Sequence, residues 1–243
     1  MMIENYFSQI REQLNTVEEQ EYSQMEACAK AIANTLAQDG IIHLFGCGHS
    51  HLLSLEVYYR AGGLVPIHPI LHEPVMLHEG ALRSSELERT NDYASKFLVN
   101  ENIQPEDTVI VISTSGRNPV PVDVALYAKK AGAAVAGLTS VAYSSAQPSR
   151  HKDGFRLMDV VDIVLDNHAP PGDALLTHPH VPTPFASSST AVGTAMLQAA
   201  IARAIEITAD RGETPPIFAS GNADGGDAQN EQWLQKYRDR LGF

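Results

Sequence analysis

The sequence predicts an α/β fold: a five-stranded parallel sheet covered by helices on both faces, a three-layer α-β-α sandwich. Three observations carry this reading. Short apolar runs alternate with helix-patterned stretches along the chain. The runs are continuous rather than alternating, as in strands buried on both sides. Glycine or proline stands at most of the joins.

Residues 2–38 carry Ile3, Phe7, Ile10, Leu14 and Val17, then Met25, Ala29, Ile32 and Leu36, at helical spacing with no proline between them. That is two helices or one long bent one, packed on the chain's own sheet or on another subunit. Gly40 ends the region, and GIIHLF is the first strand. A glycine turn, GCGHS, leads into a helix over HLLSLEVYYRAGG, closed by Gly62 and Gly63. LVPIHPIL reads as a strand bounded by prolines, and residues 74–99 as mostly helical with a break near Ser84 or Asn91. DTVIVIS is the strongest strand, followed by the helix PVDVALYAKKAG and the strands AAVAGLTS and DIVLDN. NHAPPGDALLTHPHVPTPF is a long ordered loop or a strand with a loop. An alanine-rich helix opens at SSST, and the tail holds a polar glycine loop and a final helix. With no tandem repeat or low-complexity linker, the chain reads as one domain over 1–243. Its parts are N-terminal helices (1–38), an α/β core (39–210) and a C-terminal loop and helix (211–243).

Composition narrows the function. The 243 residues are 44% hydrophobic, enough for a full core. A net charge of −12 with only 17 Lys and Arg excludes a broad nucleic-acid or acidic-membrane surface, which needs clustered cations. It leaves open a small anion held by backbone amides and hydroxyls. Cys28 and Cys47 are too few for a disulfide framework. The N-terminus is charged early and has no apolar signal core, and no stretch reaches the length of a membrane span, so a cytoplasmic protein is expected.

In an open parallel sheet, ligands bind at the turns beyond the carboxyl ends of strands. Two such turns are unusual here. One is Gly46-Cys47-Gly48-His49-Ser50; the other is Ser113-Thr114-Ser115-Gly116-Arg117-Asn118-Pro119. Taken alone, the first could be a glycine turn needed only for packing. It has His51 where the dinucleotide pattern G-x-G-x-x-G needs glycine, and GxxxxGK[ST] is absent, so no nicotinamide or P-loop site is expected. The second could be a helix cap, but one Ser or Asn suffices for that. Four polar side chains exceed the need and favour a phosphate ligand.

The pair of motifs, strand–G-x-G-x-S and then strand–S-x-S-G-x-[TSN]-P, resembles the SIS (sugar isomerase) family of phosphosugar-binding domains over about residues 30–210. The chain is most similar to the bacterial UPF0309 group, with its long N-terminal helical region and HxPxGDALL-like loop. The resemblance implies a flavodoxin-like or Rossmann-like sheet, a sugar phosphate as ligand and a homodimer or homotetramer. It implies that Ser113, Thr114 and Ser115, with Gly116, hold the phosphate, and that Asn118 stands where many members have threonine. In the family Ser50 faces the sugar; the family pattern does not fix His49, and Gly48 and His49 are expected beside the ligand as members of the same turn. No cofactor is implied.

Proton transfer next to a sugar carbonyl needs a base. Related enzymes use glutamate or histidine, and His72, Glu73, His78, Glu79, Glu86 and Glu88 cluster before the second motif. Glu79 is the first expectation and Glu73 the second, although a single carboxylate in such a cluster more often sits on a solvated helix face. His168, after the last strand, could act as acid or base or be a loop histidine bonded to backbone; Asp173 could orient a histidine or cap a turn. Ser188, within Ser187–Thr190, is either part of an ample helix cap or ligand-facing. His49-x-His51, His178-x-His180 and the His-Glu pairs raise a metal reading, but with no HExxH pair and no cysteine cluster, no metal is expected. The Asn222–Asp227 loop lacks EF-hand spacing. Two functions remain open: an isomerase or a lyase/dehydratase acting on an amino-sugar or other sugar phosphate, and a phosphosugar-sensing module without catalysis.

Overall fold

A computed structural model of the chain describes residues 1–222 and 225–241. The five apolar runs form one sheet. Its strands are β1 (Ile42–Gly46), β2 (Ile67–Pro69), β3 (Thr108–Ile112), β4 (Ala134–Thr139) and β5 (Ile163–Asp166), in the order β2-β1-β3-β4-β5. Every pairing is parallel. Side chains alternate between the faces of a strand, and both faces are covered. Ile42, Leu44, Ile110, Ile112 and Leu138 pack on one side with α2 (Tyr22–Ala37) and α9 (Ser189–Asp210). Phe45, Val109, Val111 and Val135 pack on the other with α6 (Pro119–Ala131). This is the three-layer sandwich the sequence predicts.

The N-terminal region is two helices, α1 (Met2–Gln20) and α2, broken at Glu21. Among the described helices, none is long and apolar enough to cross a membrane. Gln13 and Val17 of α1 are buried, while Ile3 and Phe7 stay exposed. At the other end, α10 (Gly226–Leu241) seats Tyr237 against Ile41, Val65 and Phe218.

Some elements differ from the sequence reading. The helix after β1, α3 (His51–Val57), ends before Gly62, because Tyr59 takes a left-handed φ of 45°. Residues 74–99 are more broken than a helical stretch. Tight turns at Glu73–Val75 and Leu77–Glu79 precede α4 (Ala81–Glu88), and α5 (Ser95–Leu98) follows. Short helices α7 (Val141–Ser145) and α8 (Leu157–Val160) flank the polar stretch between β4 and β5. The proline-rich segment is an antiparallel hairpin of β6 (Leu176–His178) and β7 (Val181–Phe185). The Asn222–Asp227 loop lies partly outside the described residues.

Candidate functional site

The strand order reverses direction between β1 and β3, so the crevice of the sheet opens above those two strands. The two unusual turns leave the sheet there, GCGHS from β1 and STSGRNP from β3. They share a cavity of about 280 Å3 with Leu77, Ser85 and Glu88 from the α4 region, Tyr143, Asp173, and Ser189 and Thr190 of α9.

Each turn is shaped by its glycines. A Cβ on Gly46 would sit 2.6 Å from the Ser50 carbonyl carbon, and Gly48 is left-handed at φ 55°. Gly116 is constrained twice. Its φ is 57°, and a Cβ there would meet Thr139 Oγ1 at 2.7 Å and Ser144 Oγ at 2.9 Å. Gly116→Ala is therefore expected to cost about 2–4 kcal/mol, strain and overpacking together. For a chain of this size that is a fall in melting temperature of about 5–15 °C, read by thermal denaturation. A change below about 2 °C would show that the turn relaxes around the methyl group.

The polar side chains of the second turn do not cap the helix they introduce. Asn118 is the N-cap of α6 but its side chain makes no capping bond. Among the described residues, the hydroxyls of Ser113, Thr114 and Ser115 take no hydrogen-bond partner. Backbone bonds hold the turn instead: Ser113 N–H donates to Leu138 O, Gly116 N–H to Ser113 O and Ser140 N–H to Thr114 O, each at 3.0 Å. The result is a rigid turn with three uncommitted hydroxyls over the N-terminus of a 13-residue helix, a suitable place for an anion.

Asn118 is occupied on both sides. Its Oδ1 accepts from Arg150 Nη1 at 2.9 Å. Its amide lies toward the Glu88 carboxylate and acts to lower that group's proton affinity. Burial pushes the Glu88 carboxyl above the usual carboxylate range, and the Asn118 amide and the charges of Arg89 and Arg150 pull it back only in part. Glu88 is thus a cavity-lining carboxylate in a cleft that raises its proton affinity. Arg150 shares its surroundings with Arg117 and Arg89, which gathers positive charge behind Asn118 on an otherwise acidic protein. Burial, and then the Glu88 charge, hold the Cys47 thiol well above its ordinary value, so Cys47 is no thiolate nucleophile at neutral pH.

Comparisons with known proteins show the family and the fold. The family model for the SIS domain matches residues 5–140. A UPF0309 protein of Geobacillus thermodenitrificans is 53% identical over 240 residues, 99% of this chain and 96% of that protein. The chain is a SIS-domain protein of the UPF0309 group. A UPF0309 protein of Lysinibacillus sphaericus is 43% identical over 242 residues, covering 100% of this chain and 99% of the relative. Among solved structures, phosphoheptose isomerase from Neisseria gonorrhoeae shares the fold at a TM-score of 0.54 and 15% identity, over 84% of this chain and 97% of that one. The Vibrio vulnificus NanR protein complexed with ManNAc-6P aligns at a TM-score of 0.50 and 12% identity, over 100% of this chain and 71% of that one.

Within this SIS domain the cavity collects Gly48, His49, Ser50, Ser113, Thr114, Ser115, Asn118 and Asp173. It does not collect the three acid–base residues expected first. Glu79 ends the second tight turn with its side chain 49% exposed, near His78 rather than the cavity. Glu73 is exposed at the first turn. His168 is left-handed at φ 52° and turned toward the α1–α2 break, where its Nε2 lies 3.1 Å from Glu21 Oε1. Asp173 borders the cavity but serves α9. Its Oδ1 accepts from the Ser188 and Ser189 N–H groups at 3.0 Å, and its Oδ2 from Ser189 Oγ at 2.6 Å. Ser188 is buried beneath that clamp, and Ser189 and Thr190 reach the cavity in its place. Sequence reasoning missed Ser85 and Tyr143; it named Ser189 and Thr190 within the Ser187–Thr190 stretch and Glu88 within the acidic cluster without choosing them.

Proposed function

We propose that the cavity binds a sugar phosphate and that Glu88 moves a proton at the carbon next to the sugar carbonyl. The phosphate lies on the hydroxyls of Ser113, Thr114 and Ser115 and the N-terminus of α6. The sugar extends toward Ser50, Ser189 and Thr190. The observation that carries this reading is the single cavity holding both motifs together with a carboxyl whose proton affinity burial has raised. Solved relatives of the fold include a phosphoheptose isomerase and a protein complexed with ManNAc-6P, which supports the ligand class.

The chemistry needs no co-reactant. The Glu88 carboxylate takes the proton from carbon, and the C–H electron pair passes into an enediolate. Returning the proton to the neighbouring carbon, while a hydroxyl proton passes to the old carbonyl oxygen, completes isomerisation. Expulsion of a substituent one carbon further on gives the lyase or dehydratase outcome. Asn118 is a positioning residue: it holds the carboxylate in place and is itself pinned by Arg150.

A panel of hexose and amino-sugar 6-phosphates is expected to raise the melting temperature while the free sugars do not, and Ser115→Ala should remove most of the rise. No shift with any phosphate would overturn the ligand class. In deuterated water, a turned-over sugar phosphate gains deuterium at C2. A thermal shift without exchange or product across the panel would leave a sensing module and remove the enzyme.

A further inference from the structure

The other end of β1 carries a second constellation, unconnected to the cavity. His43 and His68 are register partners across β1 and β2. Their rings meet edge to face with centroids 5.3 Å apart. Glu101, in the connection from α5 to β3, places Oε2 3.1 Å from His68 Nε2. One ring nitrogen of each histidine and one Glu101 oxygen all lie within 4.8 Å of one another.

The state of His43 is set by Asp107. That carboxylate accepts from Ile41 N–H at 2.8 Å, from Gln104 N–H at 2.7 Å and from Arg240 Nη2 at 2.7 Å. His43 Nε2 lies 3.1 Å from the same group. A carboxylate so well supplied with donors is ionised and only accepts, so Nε2 of His43 carries the proton. Nδ1 is left with a bare lone pair. His43 is 3% exposed, and its Nδ1 has no hydrogen-bond partner among the described residues. An unpaired buried acceptor is a cost to folding with no return. It is also the form of imidazole that ligates a metal, and the carboxylate behind it is the usual outer partner of such a ligand.

We propose that His43 through Nδ1, His68 and Glu101 form a binding site for a divalent transition-metal ion, with zinc the preferred occupant. Two imidazoles and one carboxylate make a three-ligand zinc set, whereas magnesium and calcium prefer oxygen alone. Donors around tetrahedral zinc stand about 3.3 Å apart. The His68–Glu101 pair is already near that spacing at 3.1 Å, and a His43 nitrogen lies within 4.8 Å of both. The side chains of His68 and Glu101 are 30% and 18% exposed, which gives the ion a way in and water a fourth position. Bound there, the ion ties β1, β2 and the α5–β3 connection together. His43 lies four residues before Cys47, about 13 Å along the strand, so the site is separate from the cavity.

A second acidic–histidine group, Glu21, Asp166 and His168, meets the same proximity test. Its atoms are already committed. Glu21 Oε1 and Oε2 face His168 Nε2 and Asp166 N–H, and Asp166 Oδ1 accepts from Val141 and His168 N–H. No bare buried nitrogen points to an ion there.

The test uses untagged full-length protein, stripped with a chelator and then given Zn2+ or Co2+. The expected result is one zinc per chain by elemental analysis, a higher melting temperature, and the visible absorption of four-coordinate cobalt. His68→Gln and Glu101→Gln, at partly exposed positions, should each weaken uptake at least about tenfold. His168→Gln should leave it intact. The proposal is overturned if the wild type takes up no stoichiometric metal, or if uptake survives in both variants. It is equally overturned if uptake is lost in His168→Gln but kept in His68→Gln.

Discussion

Glu88→Gln is expected to slow proton exchange at C2 of a bound sugar phosphate by about 100- to 10,000-fold, while the phosphate-dependent rise in melting temperature remains. The amide keeps the size and hydrogen bonding of the side chain but cannot take a proton from carbon. The wild-type rate also has a predictable acid limb. The base works as the carboxylate, and burial has raised its proton affinity. Activity should therefore fall as pH drops through a value above the ordinary 4.5 of glutamate and be fully expressed only above it. The Asn118 amide opposes the upward shift, so Asn118→Leu should move that limb to higher pH without moving phosphate affinity to the same extent. Retained exchange in Glu88→Gln would remove Glu88 from the mechanism and return the search to other proton acceptors around the cavity.

Asp107→Ala is expected to be the most destabilising single change away from the cavity, at about 3–5 kcal/mol. The carboxylate is fully buried, and it serves two strand-leading backbone N–H groups, His43 and Arg240. Its removal leaves three donors, Ile41 N–H, Gln104 N–H and His43 Nε2, without an acceptor, and it loosens α10, whose Arg240 then keeps only Asn102 O and Glu106. Thermal denaturation should show a fall on the order of 10 °C. Asp107→Asn, which keeps the volume and one acceptor oxygen, should cost less. If the alanine variant lost under about 1 kcal/mol, solvent would have to reach those donors in the folded state.

The parts of the fold and site that could be read from one sequence are those whose physics is local. DTVIVI is apolar throughout because β3 is covered on both faces, and its pattern says so without any partner strand. The glycine turns after β1 and β3 were visible because a left-handed or closely approached backbone admits little else. The choice of Glu79 over Glu88 failed to reach the cavity for a phase reason. Two tight turns delay α4 to Ala81, so the side of the helix that faces the cavity, with Ser85 and Glu88, is set by turn geometry that residue spacing does not encode. Asn118 looked like a phosphate ligand because its partner Arg150 lies 32 residues away. Asp173 could be read as a cap, but not as the cap of α9, because the Ser188 N–H it accepts from lies 15 residues later. Long-range hydrogen bonds assign these side chains their work, and periodicity carries no trace of them.

The clamp that Asp173 places on α9 gives the cavity a polarity. Of the two long helices that open on it, α6 leaves the positive end of its dipole without a side-chain cap, though Pro119 and Pro121 carry no N–H, while the N–H groups leading α9 are already satisfied by a fixed negative charge. On the sugar-phosphate reading, one end of the slot attracts an anion and the other repels one. A monophosphate then seats in a single orientation, with its uncharged end against Ser189 and Thr190. A bisphosphate would have to press its second group onto the Asp173 carboxylate. On that reading, the way one helix is capped would reject doubly phosphorylated sugars by their charge, before any hydroxyl is compared.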